Sequence, residues 1–408
     1  MKVSIFTPTH DTRFLRELYN SIKDQPFDEW VVVYNNGAKH ICFGDERVKS
    51  VVLPFAPQWV GALKSYACQR CTGDILIEVD HDDLLMPEAV KKVRKAFEDP
   101  DVGFVYSNAI HSTDKFKKTQ RFDRKYGWEY RQVNYNGYEL DEHISFEPTP
   151  NSISRIWFAP NHLRAFRKSA YEQVGGYNTD MRVLDDLDLM CRLYKITKFK
   201  HINEGLYLYR VHGANTWLKY NDEIQNNVYR IYDQYIEDLC LRWADENGLR
   251  TLDLGSAINP RKGYETVDIR GADVSCDLNN DWPFKDNSIG VVRAFDVFEH
   301  LRNPIHTMKE LYRVLAPGGY ALIQVPSTDG RGAFQDPTHV SFWNENSFLY
   351  YTDKQWAKYI GYPVRFQQLR LYTTTKDSRQ VCWTVAHIMK LNDGMKVPGL
   401  YNHIKNEL

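Results

Sequence analysis

The chain has 408 residues, with 52 lysines and arginines against 53 aspartates and glutamates, and a formal net charge of −1. This length exceeds what one ordinary hydrophobic core needs, so we expect two domains. The balanced charge argues against a nucleic-acid-binding surface, and the absence of any run of about 18 apolar residues argues against a transmembrane segment. The N-terminal residues carry strand and helix patterns instead of a signal peptide, and the 7 scattered cysteines are typical of reduced thiols, so we predict a soluble, cytoplasmic protein.

The first part of the chain alternates predicted strands and helices. Apolar runs predict strands at 3–6, 30–34, 48–53 and 75–79. Helical spacing of apolar residues predicts helices at 14–22 and 61–71. This alternation predicts a mostly parallel sheet, in which ligands bind beyond the carboxyl ends of the strands. Thr9, Asn35, Asn36 and Asp80 fall at such ends, so we expect them to converge on one crevice.

Three carboxylates surround one histidine directly after the fourth predicted strand, in the run Asp80-His81-Asp82-Asp83. Like charges so close together repel each other, and a hard divalent cation is the simplest partner that makes the cluster favourable. Mg²⁺ or Mn²⁺ accepts one or two carboxylates together with the oxygens of a substrate diphosphate. An acidic loop that caps the following helix through its dipole is the alternative.

A hydrophobic strand that ends in Asp-Xaa-Asp-Asp and continues as Leu-Xaa-Xaa-Pro-Glu resembles the metal-binding signature of family 2 glycosyltransferases, which have the GT-A fold. The opening run Val3-Ser4-Ile5-Phe6-Thr7-Pro8-Thr9-His10 resembles that family's first strand and nucleotide loop. The resemblance covers residues 1–220. It implies metal ligation by Asp82 and Asp83. It also implies contacts to a nucleotide-diphospho-sugar donor from Thr7, Pro8, Thr9 and Asp80.

Asn35 and Asn36 stand where family members usually carry Asp-Gly-Ser. An asparagine amide both donates and accepts hydrogen bonds, so it can still pair with a nucleobase edge, and the donor stays open between UDP- and GDP-sugars. Lys64 matches a position where the family places a cation near the diphosphate. A solvated helix lysine is the alternative reading of Lys64.

Gly175-Gly176-Tyr177, followed by Asp185 and Asp186 at the start of an apolar helix, resembles the segment that carries the family's catalytic base. The resemblance implies that Asp186 deprotonates the acceptor hydroxyl, that Asp185 supports it and that the anomeric centre is inverted. It further implies that His212 is an additional metal ligand. Helix capping is the alternative for the acidic pair. Residues 109–155 show no clear period, so we predict a flap or an acceptor-side insertion there.

After a predicted connecting helix at 221–248, the strand-helix alternation restarts. The runs 251–257, 265–268, 294–301 and 311–320 resemble, in this order, class I S-adenosylmethionine-dependent methyltransferases, which implies a Rossmann-like domain at 249–408. Implied contacts to S-adenosylmethionine come from Asp253, Gly255, Asp268, Asp277, Leu278 and Asp296. The family's first loop usually holds several glycines, whereas here Gly255 stands alone. A degenerate module kept for packing or acceptor binding is therefore the alternative.

The predicted protein is a two-domain α/β enzyme of polysaccharide biosynthesis. A metal-dependent, inverting glycosyltransferase, acting on a glycan or lipid-linked saccharide, is joined to a sugar O-methyltransferase whose base is His339, with Asp336 as the other candidate. A structural histidine is the alternative for His339, and a non-catalytic acceptor-binding or scaffolding module is the alternative for the C-terminal domain. A nucleotidyltransferase is disfavoured because no Gly-rich basic loop follows the first strand. The donor sugar, linkage and oligomeric state stay open.

Overall fold

The structure is a computed structural model that describes residues 1–54, 59–124, 127–155, 162–213, 215–361 and 366–392. The chain divides into two compact units, Met1–Ile236 and Glu237–Leu408. The division falls inside the helix Asn221–Glu246, where the sequence predicts the connecting helix. The domain boundaries at residues 220 and 248 stay predictions. None of the helices in the ranges described is both long enough and apolar enough to cross a membrane.

The first unit is built on one mixed sheet. Its strands are β1 (Val3–Thr9), β2 (Glu29–Tyr34), β3 (Val48–Val52), β4 (Ile75–Glu78), β5 (Leu84–Leu85), β6 (Val102–Thr113), β7 (Tyr130–Tyr135), β8 (Tyr138–His143), β9 (Arg164–Arg167) and β10 (Lys198–Val211). Its helices are α1 (Leu15–Ile22), α2 (Val60–Arg70), α3 (Ala89–Ala96), α4 (Pro150–Arg155), α5 (Lys168–Gln173), α6 (Asp185–Tyr194), α7 (Thr216–Lys219) and α8 (Asn221–Glu246).

The strand order of the first sheet is β3-β2-β1-β4-β9-β6-β10-β5. Strands β1, β2, β3 and β4 run parallel, so their carboxyl ends meet at one edge. All residues of β2 and β4 are buried, which explains their continuous apolar runs, since helices cover both faces of such a sheet. Helix α1 buries Leu15, Leu18 and Ile22, at the spacing of one helical face.

The segment that the sequence analysis left without a period is mostly regular structure. Strands β7 and β8 form an antiparallel hairpin whose second strand pairs with β6. Its turn is Asn136-Gly137, with φ of 49° and 88°, the left-handed pair that a tight hairpin requires. Residues 130–143 therefore form a regular hairpin whose Asn-Gly signal was missed in the sequence, while the flap or acceptor-side insertion stays a prediction.

The second unit carries a seven-stranded sheet in the order β13-β12-β11-β14-β15-β17-β16. Its strands are β11 (Arg250–Leu254), β12 (Glu265–Asp268), β13 (Val274–Ser275), β14 (Ile289–Phe295), β15 (Leu315–Pro326), β16 (Phe366–Thr373) and β17 (Trp383–Lys390). Its helices are α9 (Pro304–Val314), α10 (Gly332–Gln335), α11 (Glu345–Thr352) and α12 (Lys354–Ala357). Two short 3-10 turns cover Phe298–His300 and Lys358–Ile360.

The order of this second sheet reverses beside its first strand. Strands β12 and β14 flank β11 on opposite sides and both run parallel to it. Such a switch point opens a crevice beyond the carboxyl ends of the strands, where α/β proteins bind ligands. The loop after β11, which begins at Gly255, lies at this position. The sequence-based expectation of a Rossmann-like second domain is confirmed by this topology and by the family match reported below.

Candidate functional site

A cleft of about 300 Å³ opens in the first unit, where loops follow the strands. Predicted site residues that line it are Pro8, Lys64, Asp80, Asp82, Asp185, Asp186 and His212. Residues from β1, α2, β4, α6 and β10 thus meet in one cavity, as the parallel sheet predicts.

Asp82 and His212 are in direct contact although 130 positions separate them in the chain. Asp82 Oδ2 lies 2.7 Å from His212 Nε2, and both side chains are mostly buried. Burial by itself would raise the pKa of Asp82, but the hydrogen bond with His212 and the nearby histidine charges lower it overall. The His212 backbone N–H donates to Asn215 Oδ1 at 2.6 Å, which fixes the start of the segment after β10. Both residues line the cleft.

Asp83 lies behind this pair and does not line the cleft. Its carboxylate is 1% exposed and accepts hydrogen bonds from Tyr207 Oη at 2.8 Å and from the Arg210 backbone N–H at 2.6 Å. Burial and the charges of Asp82 and Asp80 raise the pKa of Asp83 well above its ordinary value. These bonds fasten the loop after β4 to β10, which indicates a structural role.

Asp80 reaches the cleft with a partly exposed carboxylate. Its backbone N–H donates to Tyr207 Oη at 3.0 Å, and its Oδ2 lies 3.9 Å from His162 Nε2. Burial and the charge of Glu78 raise the pKa of Asp80 to about 7. Asp80 therefore binds a proton or a hydroxyl group more readily than an ordinary aspartate.

A buried ion cluster forms the floor of the cleft. Lys64 Nζ lies 2.7 Å from Glu78 Oε1 and 3.0 Å from Asp185 Oδ2, and Arg164 pairs with Asp186. Burial opposes the charge on Lys64, but Asp185 and Glu78 raise its pKa well above the ordinary value. Likewise, burial opposes the charge on Glu78, but Arg164 and Lys64 hold its pKa below the ordinary value. The solvated-lysine alternative for Lys64 does not describe this side chain, which is only 11% exposed.

The two acidic residues at the start of α6 have different surroundings. Asp185 is 6% exposed and points to Lys64, and burial raises its pKa to about 6. Asp186 is 21% exposed, and its Oδ1 accepts a hydrogen bond from the Leu187 backbone N–H at 2.8 Å. Asp186 is thus the carboxylate of this pair that an acceptor can reach more easily. Glu78 and Arg164, which hold the pair in place, were missed by the sequence analysis; the only signal was a glutamate inside an apolar strand.

The predicted nucleotide contacts of β1 and β2 lie beside the cleft. Thr7 Oγ1 accepts a hydrogen bond from Trp30 Nε1 at 2.9 Å, and Thr9 Oγ1 donates to the Asp11 carbonyl at 2.7 Å. Asn35 is buried, and its Oδ1 has no hydrogen-bond partner among the described residues. Asn36 is exposed in the turn after β2.

In the second unit, the loop after β11 meets the end of β12. The Ala257 backbone N–H donates to Asp268 Oδ2 at 3.2 Å, so the loop and the predicted ribose ligand lie together. Gly255 has φ of +68°, and a Cβ there would lie 2.8 Å from Val297 Cγ2, so the backbone requires glycine. Asp253 is fully buried and pairs with Arg293 Nη1 at 3.0 Å.

The other predicted cofactor contacts have partners of their own. Asp277 Oδ1 accepts from the Asn279 backbone N–H at 3.0 Å, and Leu278 is buried in the core of the unit. Asp296, with φ of +53°, accepts from Trp383 Nε1 at 2.9 Å. These contacts place the residues around the loop edge of the sheet.

His339 lies in the second unit beside a carboxylate that the sequence analysis did not single out. Its Nε2 is 3.9 Å from Glu299 Oε1 and 4.0 Å from Asp336 Oδ2. Its Nδ1 lies 3.0 Å from the Ala333 carbonyl oxygen. Burial raises the pKa of Glu299 to about 8.

Comparison with known proteins identifies the class of both units. Residues 4–175 match "Glycosyl transferase family 2", and residues 229–377 match "Methyltransferase domain". The chain therefore combines a family 2 glycosyltransferase domain with a methyltransferase domain. The predicted resemblances and the predicted enzyme class are confirmed.

Relatives of each domain are known. Over 184 residues the chain is 24% identical to chondroitin synthase of Escherichia coli, covering 45% of this chain and 24% of that protein. It is 33% identical over 91 residues to a probable S-adenosylmethionine-dependent methyltransferase of Mycolicibacterium smegmatis, covering 21% of this chain and 34% of the relative. The chain thus spans between a quarter and about a third of these relatives. A crystal structure of S. aureus TarS 1-349 in complex with UDP-GlcNAc aligns with a TM-score of 0.43 and 14% identity, over 60% of this chain and 71% of that one.

Proposed function

We propose that the first unit transfers a sugar from a UDP- or GDP-sugar to a glycan or lipid-linked saccharide, with a divalent metal ion and with inversion at the anomeric carbon. The observation that carries the proposal is the shared cleft, which holds both the Asp82–His212 pair and Asp186. The match to glycosyl transferase family 2 and the similarity to chondroitin synthase support the reaction and a saccharide acceptor.

The residues at the cleft are suitable for Mn²⁺ or Mg²⁺. Asp82 and His212 would hold the ion, because both residues line the cleft and Asp82 Oδ2 lies 2.7 Å from His212 Nε2. An imidazole favours Mn²⁺ over Mg²⁺. When bound, the ion would neutralise the charge of the donor's diphosphate and stabilise the nucleoside diphosphate as it leaves.

Asp186 is the proposed general base. The acceptor oxygen forms a bond to the anomeric carbon, the bond from that carbon to the diphosphate oxygen breaks, and the hydroxyl proton passes to Asp186. Arg164 and the Leu187 backbone N–H orient its two oxygens before the reaction. A positioned base of this kind contributes about 10²–10⁴-fold. Lys64 keeps the neighbouring Asp185 in place from below.

Hydrolysis of a panel of nucleotide sugars with Mn²⁺, in the absence of acceptor, tests the metal role. Asp82→Ala should abolish turnover while the circular dichroism spectrum stays unchanged. Asp24→Ala is the matched control, because Asp24 is exposed and does not line the cleft. Turnover by Asp82→Ala at the rate of the Asp24→Ala variant would remove Asp82 from the metal site.

For the second unit we propose S-adenosylmethionine-dependent O-methylation of a sugar. The switch in strand order beside β11 and the contact between Ala257 and Asp268 support a cofactor site there, as does the matching methyltransferase domain. Asp268 would hold the ribose hydroxyls, and the loop at Gly255 would allow the cofactor to approach the backbone. When bound, the cofactor would supply the methyl group, whose bond moves from sulfur to the acceptor oxygen, while the hydroxyl proton would pass to a base such as Asp336.

The alternative of a non-catalytic module also has an observation in its favour, because Asp253 is already neutralised by Arg293. Isothermal titration of the full chain with S-adenosylhomocysteine separates the two functions. Heat of binding that disappears in Asp268→Ala supports the methyltransferase. A folded chain that gives no heat supports the acceptor-binding or scaffolding module instead.

A further inference from the structure

Three side chains with metal-binding chemistry converge in the second unit, close to the predicted cofactor contact Asp296. One ligand atom from each of Glu299, His300 and His339 lies within 4.8 Å of the others. The two histidine rings meet edge to face with centroids 4.9 Å apart. His339 Nε2 is 3.9 Å from Glu299 Oε1, which is too far for a hydrogen bond. Two ligands that each bind one ion at about 2.0–2.2 Å lie about 3–4 Å apart, so this spacing suits a shared ion.

Backbone contacts fix the cluster. The Val340 and Ser341 backbone N–H groups both donate to the Glu299 carbonyl oxygen, at 2.8 and 3.0 Å. The loop that carries His339 is thereby fastened to the 3-10 turn Phe298–His300. Ser341 Oγ adds a 2.9 Å hydrogen bond to the Phe298 carbonyl oxygen. The three side chains are therefore held together before any ligand arrives.

Second contacts of the two histidines determine which ring nitrogen is available. His339 Nδ1 lies 3.0 Å from the Ala333 carbonyl oxygen, and His300 Nδ1 lies 3.2 Å from the Thr338 carbonyl oxygen. His300 Nδ1 is also 3.1 Å from Thr338 Oγ1, which donates its own proton to Asp336 Oδ1 and so acts as an acceptor towards the ring. A carbonyl oxygen only accepts hydrogen bonds, so in the neutral rings Nδ1 carries the proton and Nε2 keeps a lone pair. An Nδ1–H bonded to a backbone carbonyl is the arrangement that metal-binding histidines usually show.

Glu299 supplies an independent observation. The residue is 2% exposed, and neither carboxylate oxygen has a hydrogen-bond partner in the part of the chain that the structure describes. A buried carboxylate without a partner is strongly unfavourable, and such groups normally pair or bind a metal ion. Its nearest basic neighbour in the cluster is the lone pair of His339 Nε2, which cannot donate a proton to it. A cation between them satisfies both groups.

We propose that Glu299, His300 and His339 bind a divalent transition-metal ion. Two imidazoles and one carboxylate favour Zn²⁺, Mn²⁺, Fe²⁺ or Co²⁺ over Mg²⁺ or Ca²⁺. Three protein ligands leave coordination positions open, and Asp336 Oδ2, 4.0 Å from His339 Nε2, borders the site. His339 is then a metal ligand, not the general base predicted from the sequence. An oxygen ligand on the ion, such as a sugar hydroxyl, would become more acidic.

Titration of the metal-free full chain with Co²⁺, followed by visible absorbance, tests the site directly. The chain carries Asp82→Ala to remove the ligand predicted in the first unit. We expect one equivalent of Co²⁺ to bind. Because losing a hydrogen-bond partner of a ligand already weakens metal binding by about 10–100-fold, His339→Ala and His300→Ala should each weaken it by at least about 100-fold. His306→Ala is the matched control, since this half-buried histidine contacts the Asn280 carbonyl oxygen outside the cluster.

Glu299→Gln keeps the size of the side chain. It therefore still tests whether the cluster binds the metal ion if an alanine variant fails to fold. It should also lose the Co²⁺ absorbance while keeping the circular dichroism spectrum. The proposal is overturned when the Asp82→Ala parent binds no Co²⁺, or when Glu299→Gln, His300→Ala and His339→Ala bind it as tightly as His306→Ala. Because the readout is metal binding, it is independent of whether the protein methylates a sugar.

Discussion

Removing Lys64 should destabilise the first unit more than the loss of a typical surface charge. Lys64 is buried, and its Nζ lies 2.7 Å from Glu78 Oε1 and 3.0 Å from Asp185 Oδ2. Lys64→Met keeps most of the side-chain volume but leaves two buried carboxylates without this partner. Breaking a buried ion pair from one side costs about 3–5 kcal/mol. At about 2–4 °C per kcal/mol for a unit of this size, the melting temperature should fall by about 6–20 °C.

Differential scanning fluorimetry of the full chain measures this shift. Lys92→Met is the matched control, because Lys92 pairs with Glu204 at the surface, where an ion pair contributes at most about 1 kcal/mol. In Lys64→Met the folded-state pKa of the buried carboxylates rises above the unfolded value. The loss of stability should therefore be largest at about pH 8 and shrink as the pH falls and the carboxylates bind protons. A shift no larger than that of Lys92→Met, or one that does not depend on pH, would refute the reasoning.

Three other substitutions have separate expected outcomes. Asp186→Asn should keep donor binding, measured by calorimetry with UDP or GDP. It should lower sugar transfer by about 10²–10⁴-fold, because an amide cannot take the proton. Undiminished transfer would assign the base elsewhere. Burial lowers the pKa of His387 from 6.5 to about 3. As the pH falls from 6.5 towards 3, the imidazole therefore binds a proton in the unfolded chain but not in the folded one. The free energy of unfolding should fall over this range by up to about 1.4 kcal/mol per pH unit. Denaturant unfolding of His387→Gln should show a correspondingly flatter pH dependence, and an unchanged slope would contradict the assignment. Gly255→Ala should weaken S-adenosylhomocysteine binding, because its Cβ would lie 2.8 Å from Val297. The control is Gly271→Ala, at a φ of +73° with open space around it, which should suffer only the backbone strain. Equal binding by the two variants would count against a cofactor loop at Gly255.

Local patterns in the sequence predicted the four parallel strands β1 to β4 of the first sheet and a crevice at their ends. The runs at 3–6, 30–34 and 75–79 are apolar because both faces of the sheet are covered, and that signal needs no knowledge of distant contacts. The contact between Asp82 and His212 was predicted only through the family resemblance. Their separation of 130 positions makes the pairing invisible to periodicity.

Other features depend on packing and could not be predicted in the same way. Glu78 lies in an apolar strand, and the residues next to it in the sequence do not indicate that Lys64 and Arg164 neutralise its charge. The unpaired oxygens of Glu299 likewise depend on how the loop carrying His339 folds over it. The hairpin at 130–143 is different, because Asn136-Gly137 is a local signal that can be read from the sequence.

Because 130 positions separate Asp82 from His212, the proposed cation would link two distant parts of the chain. An ion held by both side chains closes a large loop of polypeptide, as a chemical cross-link would, but one that a chelator can open. The bound ion would restrict the unfolded chain, and it would favour the folded form by mass action. The first unit should therefore resist protease digestion better with the ion bound than without it. Saturation of the first unit with donor and ion would therefore also slow its degradation by proteases in a cell.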